Sequence, residues 1–452
     1  MRVAVDMDMA TFDPNNLIAG ASRRLSNSVT PALFTVSDDW SVEGLLATAF
    51  EVDGASVLVT VSTDRRLSNG RPVDAALVRE NLLRVLDPAA GCYQRADLGV
   101  VEDVRVVSDD TLRLELAEPR ASLPALLANH IGITDPQAVG AGALPVGAGV
   151  YRVTEWVRGR GMRLVRTAHG PDGSPQVVEW IVEPDAGRRA AGLLEGRFDA
   201  VWMPDAAQLD RLRAHGCTVV VRPSQAPTHL TFHAERPPWN DPAVRAAVAA
   251  AIDRRALVRE LFGTDGTASW TPYAPGCPWY VPVPEPEPDA DRARWLLRRS
   301  GHDRIHDVLP VDGVFGLRMG TLVAEQLRAI GIHLVPQPHE SHRWWPGFYT
   351  SGAWGIILQT WTPMPDPDQL IARRYHSRGV LNAGRYASAE VDAALEEGRR
   401  TLRFERRYAA YERVQLLLLQ HTASVYLFHA PMITAARAGV SGFAPTVLSE
   451  LR

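Results

Sequence analysis

The chain has 452 residues, more than one hydrophobic core serves, because cores stop growing at roughly 250–300 residues and longer chains divide into domains. Apolar residues make up 46% and charged residues 22%, a balance that excludes a disordered or low-complexity chain. The net charge of -4, with both signs interspersed, lacks the basic footprint of a nucleic-acid binder.

Arg2 to Val5 alternates as a strand, without the basic segment and apolar run of an export signal and without a lipid-attachment cysteine. Further strands are expected at 58–62, 111–116, 151–156, 162–166, 178–182, 218–222 and 354–360, and helices at 74–86, 241–262, 289–300, 317–330 and 389–419. Asp241-Pro242 places an N-cap and a first-turn proline, and Ser388 is a second cap. The stretch 274–288 holds Pro275, Pro278, Pro282, Pro284, Pro286 and Pro288 and reads as an extended loop. Alternating strands and helices favour an α/β architecture. No repeat of 20–50 residues is visible, which excludes a solenoid or propeller. No apolar run reaches the length of a membrane span.

All 48 basic residues are arginine, which fits a GC-rich codon bias and excludes a Schiff-base or P-loop lysine. Cys92, Cys217 and Cys277 have no metal-like spacing and leave room for one bridge at most. His339 and His342 stand at the wrong separation for a zinc-protease helix, and His215 with Cys217 lacks a third catalytic partner. No Gly-x-Ser-x-Gly, Walker or dinucleotide-binding glycine pattern occurs. Scattered histidines (His233, His339, His342, His376) define no fixed metal motif. The expectation is a protein that is not an enzyme and has no cofactor and no resident metal.

A series of phrases, in order along nearly the whole chain, resembles the peptide/nickel-binding family of solute receptors that serve ABC importers. Thr11-Phe-Asp-Pro14 is similar to its turn after the first strand, and the run from Ser26 to Phe34 to its first helix. Leu67-Ser-Asn-Gly-Arg-Pro72 resembles its Ser-Asp-Gly-x-Pro strand, Gly147-Ala-Gly-Val-Tyr151 its return strand, and Ala191 to Ala200 the helix and strand that follow. Arg236-Pro-Pro-Trp-Asn-Asp-Pro-Ala-Val-Arg245 is the most recognisable segment. Leu327 to Ile332, Trp361 to Asp368, Asn382 to Tyr386 and Gly439 to Phe443 complete the series.

The resemblance implies an α/β, two-lobed periplasmic-binding-protein type II fold. A discontinuous domain I would span 1–35, 143–226 and 430–452, a small accessory domain 36–142, and a second lobe 227–429. It also implies that two crossings act as hinges, that a monomer closes around a peptide-like or other small solute, and that ABC permease subunits read the closed form. In the family, aromatic and polar residues from both lobes line the crevice. The positions here are Trp361, Phe232 with His233, Tyr151 and Asn382.

Departures from the pattern bear on the ligand. Dipeptide receptors carry Asp-Tyr in the loop after the tryptophan, and the aspartate pairs with the ligand ammonium. Here Trp361-Thr-Pro-Met-Pro-Asp-Pro367 is one residue shorter, which leaves Asp366 or Asp368 as the substitute. The segment 308–314 lacks the arginine that takes the ligand carboxylate, with Arg318 expected on the following helix. An unmodified dipeptide is therefore not the first expectation. The localisation is extracytoplasmic if Met1 follows a removed leader. If the chain starts at Met1, the alternative is a cytoplasmic protein of the same fold used for sequestration, sensing or a biosynthetic step.

Overall fold

The computed structural model describes residues 1–9, 11–16, 25–92, 94–129, 131–140, 143–339, 348–440 and 443, without the side chains of 26, 129 and 313–315. The expected motif positions 340–342 and 441–442 lie outside the described residues. The chain forms two compact units, Met1–Arg222 with Met432–Arg452, and Pro223–Pro431.

Unit 1 holds a seven-stranded sheet. Its order is Thr218–Arg222 (β12), Met432–Ala436 (β19), Ala200–Trp202 (β11), Arg2–Val5 (β1), Val177–Val182 (β10), Gly161–Arg166 (β9) and Tyr151–Val157 (β8). β1 runs parallel to both neighbours, with Arg2 opposite Glu179 and Val3 opposite Ala200. Val3, Ala4 and Val5 are fully buried, as a central strand covered on both faces requires.

A separate antiparallel sheet in the same unit orders Ala47–Asp53 (β4), Ser56–Val61 (β5), Thr111–Leu116 (β7) and Val101–Val106 (β6). Val57, Val59 and Val61 alternate inward with Leu112, Leu114 and Leu116, against Leu77, Val78, Leu82 and Val85 of helix Ala75–Leu86. Asp74 caps that helix by accepting from the Leu77 N–H at 2.7 Å. Each such buried aliphatic side chain contributes about 1.5–3 kcal/mol. A short ribbon pairs Phe34–Val36 (β2) with Val42–Gly44 (β3).

Unit 2 has a six-stranded sheet ordered Thr267–Ala268 (β14), Ser424–His429 (β18), Pro227–Phe232 (β13), Ile356–Thr360 (β17), Ile305–Asp312 (β15) and Ile332–His339 (β16). β13 is antiparallel to both neighbours, and every residue of β13 and β18 is buried. The chain enters this unit at Pro223 and leaves it at Pro431.

Two helices expected as continuous are each divided. The 241–262 helix is Pro242–Ala251 and Arg254–Phe262, because Ile252 turns extended and Asp253 starts again as an N-cap, accepting from the Ala256 N–H at 2.7 Å. The 389–419 helix is Ala389–Arg400 and Phe404–Gln420, broken where β-branched Thr401 is extended. A local cap outweighed an uninterrupted apolar period in the first case. The strands β2, β3, β4, β6, β14, β15, β16, β18 and β19 are not among those expected from sequence; several are short apolar runs whose period alone does not separate strand from helix.

Candidate functional site

The six residues singled out from sequence are divided between the two units. Tyr151 belongs to unit 1, on β8. Its phenol donates to the Pro175 carbonyl at 3.1 Å, and it lines a cavity of about 740 Å³ formed wholly by unit 1 residues. The other five lie in unit 2, where the strand end carrying Phe232 and His233 meets the loop of Asn382 through the Ala234 N–H, which donates to the Gly384 carbonyl at 2.7 Å.

Phe232 is 3% exposed and stacks on Trp239 at 5.8 Å within the unit 2 core. His233 follows β13. Its N–H donates to the Gly355 carbonyl at 2.8 Å and its Nδ1 accepts from the Glu235 N–H at 3.3 Å. Burial lowers its pKa. In the β13–β17 ladder Phe232 faces Ile356, whereas Trp361 donates its N–H to the Pro227 carbonyl at the opposite end. The two ends are separated by about 15 Å of strand.

Asn382 has its amide engaged in its own loop: Nδ2 donates to the His376 and Tyr386 carbonyls, and Oδ1 accepts from the Tyr386 N–H. Asp366 receives two hydrogen bonds from Arg407, at 2.6 and 2.7 Å, in a pair buried to about 5% side-chain exposure. Burial opposes the Arg407 charge, and the Asp366 carboxylate more than offsets this and raises its pKa. Asp368 is likewise engaged by Arg399 at 2.8 Å. Both carboxylates are thus engaged by arginine side chains of unit 2. Arg318 lies on helix Gly313–Arg328 and donates to the Glu260 carbonyl.

Trp361 is different. Its ring packs edge-on to His229 at 3.9 Å, to Tyr375 at 5.8 Å and to Tyr426 at 6.3 Å, and the Arg374 guanidinium lies 4.3 Å over it. The cluster is polar beneath the rings. Tyr375 donates to Ser424 Oγ at 2.7 Å and stands 2.9 Å from the Tyr426 hydroxyl. Gln359 Nε2 donates to Thr231 Oγ1 at 2.9 Å and contacts His229 Nε2 at 3.3 Å. The His229 Nδ1 faces the Pro227 carbonyl at 3.2 Å, and this network assigns the proton to Nδ1. Burial drives the His229 pKa down to about 3, so the ring is neutral near pH 7.

Among the described residues, several fully buried polar atoms of unit 2 have no hydrogen-bond partner: Trp361 Nε1, both amide atoms of Gln369, and the Tyr273 and Tyr411 hydroxyls. An unmatched buried polar group costs about 1–3 kcal/mol, so such groups concentrate where water or a ligand completes them. Trp361 was legible as a large ring after an apolar strand. His229, Gln359 and Tyr426 were not, because their meeting depends on the β13–β17–β18 register, nor was Tyr375, which comes from the separate helical turn Arg373–Tyr375.

Among the described residues, no group of three or more His, Cys, Asp or Glu side chains is placed to hold a metal ion, and no helix is long and apolar enough to cross a membrane. All three cysteines are free thiols; burial raises the pKa of Cys92 and Cys217 and pushes Cys277 up to about 12.

Comparison with known proteins places this fold. The family model for bacterial extracellular solute-binding proteins, family 5, matches residues 41–382. The glutathione-binding protein GsiB of Salmonella paratyphi A is 25% identical over 312 residues, 66% of this chain; the aligned stretch spans 61% of GsiB. Among solved structures, NikA of Staphylococcus aureus with Ni(L-His)2 superposes with a TM-score of 0.89 at 15% identity, covering 100% of this chain and 98% of the other. A dipeptide-binding protein of Pseudoalteromonas with Met-Leu gives 0.90 at 20% identity, covering 100% and 98%. The shared fold is the type II periplasmic-binding-protein fold that the motif series implied. Because the family model covers more than half of its length, the chain belongs to the bacterial extracellular solute-binding proteins of family 5.

Proposed function

We propose that the protein captures a small solute for an ABC importer, and that Trp361 is the principal ligand contact on unit 2. The carrying observation is the Trp361 ring, whose Nε1–H has no hydrogen-bond partner among the described residues, inside a buried cluster with His229, Tyr375 and Tyr426. A flat aromatic with one directional donor suits a ligand that brings apolar surface and an acceptor. His233, Phe232, Tyr151, Asn382 and Asp366 are secondary, since their polar atoms or rings are engaged within their own units.

The ligand is an extended or modified peptide, or another solute with little zwitterionic character, rather than a free dipeptide. Asp366 and Asp368 are held by Arg407 and Arg399, and leaving a ligand ammonium unpaired on closure costs several kcal/mol. Relatives of this fold are described with glutathione, Ni(L-His)2 and Met-Leu, a range that leaves ligand class to the local residues.

The division into 1–35, 143–226 and 430–452, then 36–142, then 227–429, belongs to the same proposal. So do hinge crossings near 222–223 and 431–432, permease subunits as partners, an extracytoplasmic monomer and the lack of catalysis. Separate hydrophobic clusters around Leu77 and around Val3 support the small-domain boundary.

A thermal-shift screen of free dipeptides, longer peptides and metabolites tests the ligand class, because a ligand at about 100 times its dissociation constant stabilises the fold by roughly 2.7 kcal/mol. Shifts confined to longer or less zwitterionic compounds are expected. Shifts across the free dipeptides overturn the ligand reading. With a ligand in hand, X-ray scattering is expected to show a smaller radius of gyration at saturation; an unchanged radius counts against hinge closure.

A further inference from the structure

The unit 1 cavity is not accounted for by ligand capture on Trp361. Its volume of about 740 Å³ falls in the range of small-molecule sites, roughly 300–1,000 Å³. Its floor is the apolar face of the seven-stranded sheet: Val3 of β1, Leu164 of β9, and Val178 and Trp180 of β10, all less than 5% exposed. Tyr151 and Phe443 add two further rings. One rim is the 171–175 turn, in which Pro171 and Pro175 flank Gly173 at φ +86°, a left-handed backbone that glycine adopts without strain. The opposite rim is the end of β3, where a Cβ on Gly44 would meet the Ala47 carbonyl oxygen at 2.2 Å. Both rims therefore have a fixed course.

The charged side chains lining the cavity are Glu43 and Asp172, one on each rim. Both are exposed, and neither has an ion pair or side-chain hydrogen bond among the described residues. Among the described residues, no arginine lines the cavity. Arg166, close enough to influence the Tyr151 phenol, donates instead to the Pro171 carbonyl at 2.7 Å. The Met1 amino group donates to the Val177 carbonyl at 2.8 Å. Aromatic rings and two carboxylates, beside an N-terminal ammonium already held by a carbonyl, complement an organic cation, whose charge is attracted to the acids and to aromatic rings.

We propose that this cavity is a second binding site, for an organic cation with an aromatic or apolar body and an ammonium-type end. The body lies on Trp180 and its apolar neighbours, and the charge faces Glu43 and Asp172. The site is contained in unit 1 and stands independently of the Trp361 reading.

Isothermal titration of the full chain with phenethylammonium, phenylpropionate and phenethyl alcohol tests it. Phenethylammonium is expected to bind about fivefold tighter than phenylpropionate, and Glu43→Gln with Asp172→Asn, two exposed changes, to remove that preference. Ser174→Trp, which fills the cavity from the proline-rich rim, is expected to abolish binding. Trp361→Phe is expected to leave it unchanged, which separates this site from the one on unit 2. Equal or tighter binding of phenylpropionate, no binding of phenethylammonium at millimolar concentration, or a constant unaffected by the Glu43/Asp172 double variant overturns the proposal. If Ser174→Trp does not fold, the double variant decides it.

Discussion

Two parts of one loop in unit 2 are both buried and yet are built oppositely. Around Asp366 the polar atoms are matched: both carboxylate oxygens accept from Arg407, and Arg407 Nε donates to the Gly398 carbonyl. At Trp361, five residues earlier, the indole N–H has no partner among the described residues, and neither has the Gln369 side-chain amide, three residues later than Asp366. A matched buried pair holds a loop in place, whereas an unmatched one carries a standing cost that binding can recover. The contrast separates an architectural residue from a recognition residue when both are acidic-loop neighbours of equal burial.

The largest expected effect tests how dry the Trp361 side is. The His229 pKa falls from 6.5 to about 3 on folding, so the native ring stays neutral while the unfolded ring takes a proton. The stability it contributes is therefore present above pH 6.5 and is lost as pH falls toward about 3, with an upper limit of about 5 kcal/mol. His429, lowered to about 4 by burial, acts in the same direction. Urea unfolding at neutral pH and at steps down to pH 4, compared with His229→Gln, checks this. If the variant keeps the wild-type acid sensitivity, the buried neutral imidazole is not its source.

On the matched side, Asp366→Ala leaves the Arg407 guanidinium buried without its partner and is expected to destabilise unit 2 by about 3–5 kcal/mol in denaturant unfolding. Replacing both residues, Asp366→Leu with Arg407→Met, is expected to recover much of that loss. A loss below about 1 kcal/mol for Asp366→Ala, as in an exposed pair, would remove the basis of the comparison.

Smaller effects with opposite signs in stability and binding are expected on the unmatched side. Gln369→Met removes two unpaired polar atoms at similar volume, so the ligand-free protein gains about 1 kcal/mol while affinity for the best compound of the screen falls. Trp361→Phe keeps an aromatic ring but removes the N–H together with the five-membered part of the indole, which is expected to weaken binding about fivefold and to lower the melting temperature modestly. Destabilisation by Gln369→Met would mean that ordered water already completes the amide.

The amino-acid sequence by itself determined the family, the α/β class, the long inventory of strands and helices, and the place of Trp361 after an apolar strand. These depend on local chemistry: caps such as Asp74 and Ser388, apolar period, and short motifs whose order along the chain survives divergence. It did not determine what each polar residue faces. The partner of Asp366 is Arg407, 41 residues away, and the Asn382 amide ties its turn to Tyr386; neither pairing is marked by a local motif. His229 carried no motif at all. It stands beside Trp361 because β13 pairs with β17 in one register, and a shift of one residue would send both sets of side chains to the other face of the sheet. Whether a buried polar group is matched is a property of neighbours distant in sequence, and only tertiary structure decides it.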